Sequence, residues 1–402
     1  MGPGDSPDRL AAAVRGFTPE DWGRFLRELN GFRLGPLFYW KYRARAEEIG
    51  IPADVLARTR DAYCSNLARN VPLFNELKKV LLAFGDAGIP VIVLKGAHIA
   101  ALVYGDIGAR PMRDLDILVR TENLAKVDEV LIGLGFRSCE FRPDPPPEGN
   151  AFRYVHDRIG LLIEVHWRLF SDFYPFRFDQ EALWSSAGET ELEGAPALVL
   201  AAEDLLLHIS VHTCIHMFHS GLRDLCDVAE IVRLGAGMFD WVRVRERALS
   251  WEAENPVYLV ILLAVRLLGA TIPEDLLHTF RSAGFDESFY EVGKRAVLSN
   301  GLMSGRGPFP TLNIVLFVGR KGIGPKFGVL IKKVFPSRST LAAFYRISPL
   351  SRCLPCYYFR WIWRLIRANV PGAWQLLADR VRGRKSGPVS ELAPLVNWLI
   401  AP

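Results

Sequence analysis

Asp114 and Asp116 stand two residues apart at the head of an apolar run, Asp114-Leu115-Asp116-Ile117-Leu118-Val119. In a strand, alternate side chains share a face. The two carboxylates then project together, while Leu115, Ile117 and Val119 point into a core. Paired carboxylates repel one another unless a cation lies between them, and a divalent metal suits that arrangement. A third acid sits in Leu161-Leu162-Ile163-Glu164-Val165-His166-Trp167-Arg168. Alternation places Glu164, His166 and Arg168 on one face and Ile163, Val165 and Trp167 on the other. Three acids can hold Mg²⁺, which prefers octahedral oxygen coordination and keeps waters. Two such ions about 3.5–4 Å apart clamp the attacking and leaving oxygens of an in-line phosphoryl displacement.

Upstream, the apolar run Val91 to Leu94 ends in Lys95-Gly96, and a short helical pattern follows over Ala97 to Tyr104. Gly96 would let the backbone approach a phosphate, the following helix offers free N–H groups, and Lys95 adds a point charge. Arg110 and Arg113, in the loop that feeds the Asp strand, are candidates to grip the outer phosphates. His166 is a candidate support for Glu164. The expected site is therefore Asp114, Asp116 and Glu164 as catalytic metal ligands, with Lys95, Gly96, Arg110, Arg113 and His166 around a bound nucleotide.

These residues need a scaffold, and the periodicity predicts one. Residues 1–84 read as helices, with Leu73, Phe74, Leu77, Val80, Leu81 and Phe84 at helical spacing. Residues 85–200 read as an α/β core: strands at Val91–Leu94, Asp114–Val119 and Phe136–Phe141, a helix at Thr121–Leu134, and a hairpin turning at Asp157-Arg158-Ile159-Gly160. Residues 201–303 are helical again. Residues 304–402 form a basic, aromatic-rich C-terminal region, with a linker-like stretch over 304–328. The fold class expected is α+β: a small mixed sheet flanked by N-terminal and C-terminal helical regions.

Length and composition bound the rest. The 402 residues are half apolar, enough for a sizeable core. No apolar run reaches the roughly 18 residues of a membrane span. The six cysteines are scattered and no signal peptide is visible, so a reducing cytoplasm is expected. The net charge of +5 is unevenly spread. Residues 311–402 carry 15 Lys/Arg against two acids, Asp379 and Glu391, whereas the preceding 310 residues hold 34 basic and 42 acidic groups. This tail suits docking on the acidic body, or weak contact with an anionic membrane at its inner face. Arg360, Arg364 and Arg367 fall on one helical face within an aromatic segment. No module for reading nucleic-acid sequence accompanies the charge.

His208, His212, His216 and His219 follow at spacings of four, four and three, and on a helix they form one stripe. Without an acid or cysteine on that face, the stripe is expected to be a partly buried polar seam lining the cleft rather than a metal site. Asp227 is expected to accept a hydrogen bond that positions its helix. Cys353-Leu354-Pro355-Cys356 has redox spacing but lacks the βαβ context, and reads as two packed thiols.

The order strand, glycine turn, helix, loop, Asp-x-Asp strand and later acidic strand resembles the DNA-polymerase-β-like nucleotidyltransferase superfamily. More narrowly, Leu94-Lys95-Gly96 with Arg113-Asp114-Leu115-Asp116-Ile117-Leu118-Val119 is similar to a bacterial family of largely uncharacterised nucleotidyltransferases. Members of that family often accompany polysaccharide or peptide-natural-product genes. The likeness continues through Glu164-Val165-His166-Trp167, His208 and His212, Leu225-Cys226-Asp227-Val228-Ala229, and Phe335-Pro336-Ser337 with Tyr345. It implies Mg²⁺-dependent (or Mn²⁺-dependent) transfer of a nucleoside monophosphate from an NTP to an unknown acceptor, a sugar, peptide or protein, with pyrophosphate released. Asp114, Asp116 and Glu164 would be the metal ligands. Ala97 replaces the superfamily's second Gly or Ser, and the gap from Gly96 to Asp114 is longer than common. A non-catalytic nucleotide- or partner-binding module with the same fold is the competing expectation.

Overall fold

A computed structural model describes residues 7–139, 149–171, 174–235, 239–282, 284–300, 335–345, 347–348, 350–364, 367 and 388–401. The expected linker at 304–328, the triple-proline stretch and much of the basic tail lie outside these residues. The N-terminal part is helical: α1 (Pro7–Val14), α2 (Pro19–Gly31), α3 (Gly35–Tyr42), α4 (Ala46–Ile49) and the long α5 (Ala53–Asp86). Thr18 caps α2 in a capping box with Asp21, satisfying donors the helix cannot pair internally. Strand β1 (Val91–Val93), helix α6 (Lys95–His98), β2 (Asp114–Val119), α7 (Leu124–Gly133), β3 (Phe136–Ser138), β4 (Ala151–His156), β5 (Leu162–His166), α8 (Gln180–Ser186), β6 (Gly188–Leu192) and β7 (Ala195–Val199) follow. The helices α9 (Ala202–Ile215), α10 (Leu222–Leu234), α11 (Trp241–Ser250), α12 (Glu254–Leu268), α13 (Glu274–Thr279) and α14 (Glu287–Asn300) complete the body. Further helices run over Arg338–Tyr345 and Pro388–Leu399.

The strands form one mixed sheet in the order β3-β4-β5-β2-β1-β7-β6. β2 pairs antiparallel with β1 and parallel with β5. The α+β architecture expected from the sequence is thus observed, with one addition. The hairpin β6–β7 extends the sheet beyond β1, where no strands were expected. Its signal was present: Glu193-Gly194 forms a two-residue turn with both residues at positive φ, flanked by alternating residues.

Each face of the sheet is sealed by a separate core. Leu115, Ile117 and Val119 of β2 and Ile163 and Val165 of β5 pack with Leu77, Val80 and Phe84 of α5 and Val127 and Leu131 of α7. Ile92, Leu94 and Leu118 face the other way, into a larger core with Leu206, Val228 and Leu259 of α9, α10 and α12. That larger core also takes Trp22, Leu26 and Phe38 from the N-terminal helices and Leu395 and Trp398 from the C-terminal one. Segments from either end of the chain therefore share one core on the face that carries Asp114 and Asp116. Residues 335–364 instead hold a small cluster of their own around Leu341, Ala342 and Leu354.

Candidate functional site

The acids meet because β2 and β5 run parallel and in register. Asp116 lies opposite Glu164, and Leu118 opposite His166, so Asp116, Glu164 and His166 rise from one face. Ligand atoms of these three all lie within 4.8 Å of one another, the single such group among the described residues. His166 Nε2 is 3.0 Å from Asp116 Oδ1 and 3.7 Å from Glu164 Oε2. Lys95 Nζ is 3.3 Å from the same Asp116 oxygen. Burial resists ionisation of Asp116, but the Lys95 charge and the His166 hydrogen bond outweigh it and hold the carboxyl well below its usual range. Asp114, more open, goes the other way. Burial first, then repulsion from Asp116 and Glu164, push it up to about 6. Three acids that share so little countercharge fit a hard divalent cation, whose arrival would relieve that repulsion.

His166 is held in turn. Asn150 Nδ2 lies 3.2 Å from its Nδ1 and 3.4 Å from the Leu169 carbonyl. An amide donor at Nδ1 leaves the ring proton on Nε2, which then donates to Asp116. The imidazole expected beside Glu164 thus serves Asp116 first.

Lys95 adopts φ +33°, a conformation that costs a non-glycine residue on the order of 1–3 kcal/mol and recurs at functional positions. It starts α6, so that helix begins two residues earlier than its sequence pattern suggests. α6 is one turn long and passes directly into a π-helical turn, Ile99–Val103. Gly96 is buried, and a Cβ there would meet Met112 Cγ at 3.4 Å and Arg110 Nη1 at 3.5 Å. The loop over 105–113 packs on α6 at this point.

Arg110 requires a correction. Instead of gripping phosphate, its Nε and Nη2 donate to Asp227 at 2.8–3.1 Å. Both residues are buried, and Tyr104 Oη donates to the same carboxylate at 3.0 Å. A buried guanidinium needs a partner, and Asp227 on α10 supplies it across 117 positions of sequence. Asp227 is a positioning acceptor, as its sequence suggested. Arg113 is exposed.

α5 pins that loop from below. Asn66 Nδ2 donates to the Gly108 carbonyl at 2.8 Å, and Asn70 Nδ2 to the carbonyls of Ile107 and Arg110 at 2.6 and 2.9 Å. Their i, i+4 spacing puts both on one helix face. Tyr63 Oη, a turn earlier, donates to Asp106 Oδ1 at 2.9 Å. Burial and that carboxylate push its phenol up to about 12. A Cβ on Gly108 would come within 2.5 Å of the Tyr63 ring, so glycine is required there. Nothing in the spacing of Tyr63, Asn66 and Asn70 identifies their loop partners. The only cue is three polar residues on the buried stripe of α5.

Beneath the acids lies His208, fully buried, with neither ring nitrogen hydrogen-bonded and its ring edge-on to Phe170. Burial drives its pKa far down, and Lys95 and His166 push in the same direction. His212 is half-buried, whereas His216 and His219 are exposed. α9 ends at Ile215, so the helical stripe stops at His212. Cys353 and Cys356 are exposed free thiols rather than packed ones. Among the described residues, no helix is long and apolar enough to cross a membrane.

Residues 18–269 match the model of a family described as uncharacterised nucleotidyltransferase. No curated protein matches the sequence. The solution structure of the antibiotic-resistance factor ANT(2'')-Ia is similar at 16% identity and a TM-score of 0.30, over 45% of this chain and 96% of that one. A crystal structure of ANT(2'')-Ia with adenylyl-2''-tobramycin follows at 15% and 0.29, over 52% and 97%. An antigenic nucleotidyltransferase-like protein from Paracoccidioides brasiliensis gives 14% and 0.32, over 51% and 96%. Likenesses this distant say nothing of the acceptor.

Proposed function

The chain belongs to that nucleotidyltransferase family, and on this premise we propose that it moves a nucleoside monophosphate from an NTP to an acceptor hydroxyl or phosphate, releasing pyrophosphate. Asp114, Asp116 and Glu164 would hold Mg²⁺ or Mn²⁺, which would supply charge neutralisation at the transferred phosphoryl group. The observation that carries this reading is the convergence of Asp116, Glu164 and His166 on one point of the sheet.

The chain's own residues do the rest. The His166 N–H orients Asp116 and keeps it ionised, and Asn150 fixes the ring that does so. Lys95 lends positive charge beside the carboxylates, where it can meet a phosphate oxygen once the acids find another cation. The acceptor oxygen attacks the α-phosphorus, the bond to the pyrophosphate oxygen breaks, and the acceptor proton passes to water. With two oxygens needed in line, catalysis is mostly positioning. The acceptor would be a sugar, peptide or protein.

The tail supports a secondary proposal of weak contact with anionic membranes. Phe359 and Trp363 are 78% and 57% exposed, next to Arg360 and Arg364 in a basic region, as an interfacial helix requires. Flotation of the full chain with anionic liposomes tests it, and no flotation at low salt ends it.

Pyrophosphate release with each of the four NTPs tests the main proposal. Metal-dependent release by the wild type and its loss in Asp114→Ala/Asp116→Ala is expected. Release at the wild-type rate by that variant would remove the carboxylates from the reaction.

A further inference from the structure

Beside the 105–113 loop lies a cleft of ≈ 450 Å³ between that loop, α3 and α5. Arg33, Arg69 and Arg113 line it together with Asn66, and no acidic residue does. Among the described residues none of the three arginines forms an ion pair, in contrast to Arg110, Arg120 and Arg247, whose carboxylate partners are in place. Three like charges facing one concavity repel each other, and an anion is what relieves that repulsion. α3 also begins in this cleft, at Gly35, and no side chain caps it. Its first N–H groups and positive dipole end add to the same field. Gly35 permits the arrangement, since a Cβ there would meet Ala62 Cβ at 3.3 Å.

Asn66 ties the floor of the cleft to the loop. It is 3% exposed, its Nδ2 is committed to the loop, and its Oδ1 is buried with no partner. An oxyanion would satisfy the guanidinium groups. Arg113 directly precedes Asp114, and Met112 lines the cleft while also covering Gly96. The loop that lines the cleft therefore runs directly into the Asp114 strand.

We infer that this cleft is an oxyanion subsite for the acceptor, which would be a hydroxyl-bearing compound carrying a phosphate or carboxylate. Its role as an acceptor site rests on the nucleotidyl-transfer reading; its affinity for oxyanions does not. The alternative source of the same chemistry is the triphosphate of the nucleotide itself, and the test separates the two.

The experiment is calorimetric titration of the full chain, without metal, with inorganic phosphate and with a hexose phosphate. A second titration uses each NTP with Mg²⁺. The wild type should bind both phosphates in a salt-sensitive manner. Arg33→Gln/Arg69→Gln should lose about tenfold or more of that affinity, the scale of charged hydrogen bonds, while keeping its Mg²⁺–NTP affinity. Asp116→Asn should keep phosphate binding. Arg245→Gln, an exposed arginine of α11, is the control and should bind as the wild type does. Absence of phosphate binding by the wild type, or equal loss in the control, overturns the subsite. Parallel loss of NTP affinity in Arg33→Gln/Arg69→Gln gives the cleft to the nucleotide and overturns the acceptor assignment. If NTP binding ignores Asp116 while phosphate binding still needs Arg33 and Arg69, the functional reading fails and the subsite stands.

Discussion

The two charged regions beside the 105–113 loop solve opposite electrostatic problems. On one side, Asp116 and Glu164 meet, with Asp114 close enough to feel both, and the protein answers with Lys95 as internal countercharge and His166 as a hydrogen-bond donor. On the other side, Arg33, Arg69 and Arg113 share a cleft with no carboxylate at all. On the acidic side Asp116 and His166 are buried and bonded to one another, while Asp114 and Glu164 are half-buried with too little positive charge nearby. The basic side is open to water and leaves its charges unanswered. A protein gains no stability from either arrangement alone. The difference suggests that the acidic side awaits a compact cation and the basic side a larger anion.

Several changes would break that contrast, and the largest acts on the acidic side. Asp116→Asn should lower nucleotidyl transfer by on the order of 10³-fold, because a metal's charge stabilisation amounts to several kcal/mol. Pyrophosphate release checks it, and unchanged affinity for inorganic phosphate would keep the two sides distinct.

Asp227→Ala comes next and acts on the loop itself. It strands the Arg110 guanidinium in a buried site, and breaking such a pair costs about 3–5 kcal/mol. Chemical denaturation should read that loss, and Asp227→Asn should recover part of it.

Gly108→Ala should cost less, about 1–3 kcal/mol, by forcing the loop off the Tyr63 ring. It displaces the loop, so NTP and phosphate affinities should weaken together. Weakening of only one would mean that the two sides are not coupled through this loop.

A last effect comes from acid alone. Burial lowers His98 to about 4 and His208 well below its ordinary 6.5. Below pH 6.5 the unfolded chain binds protons that the folded chain refuses, so stability falls as pH drops from about 6.5 toward 4. Asp114, raised to about 6, acts with the opposite sign. A comparison of wild type with His98→Gln/His208→Gln isolates the histidines. The wild type should lose up to about 1.4 kcal/mol more per pH unit for each of the two. Equal slopes in urea titrations at pH 6.5 and 5 would contradict the assignment.

The sequence made the sheet centre legible because its signals are local. Asp114-Leu115-Asp116 and Glu164-Val165-His166 each carry a period of two, and each is the strand that period predicts. What the sequence hid was pairing over distance. Arg110 and Asp227 are adjacent only because α10 packs against the Ile99–Val103 turn, and nothing near either residue announces the other. The same holds for Asn66 and Asn70 under the loop, and for Arg33, which approaches Arg113 only through the packing of α3 on α5. The arginine cleft could not be read from the chain because its members come from three separate elements. The β6–β7 hairpin was legible and overlooked; its Glu193-Gly194 turn is a standard signal.

The most direct test of the central claim needs no substrate. Mn²⁺ binding to the full chain, followed by electron paramagnetic resonance, should show a site that loses at least about 100-fold of its affinity in Asp116→Asn and in Glu164→Gln, while Arg69→Gln leaves it unchanged. That loss corresponds to removing one charged ligand, worth about 2.7 kcal/mol. Mn²⁺ affinity unaltered by both carboxylate substitutions would contradict the assignment of this cluster as a cation site.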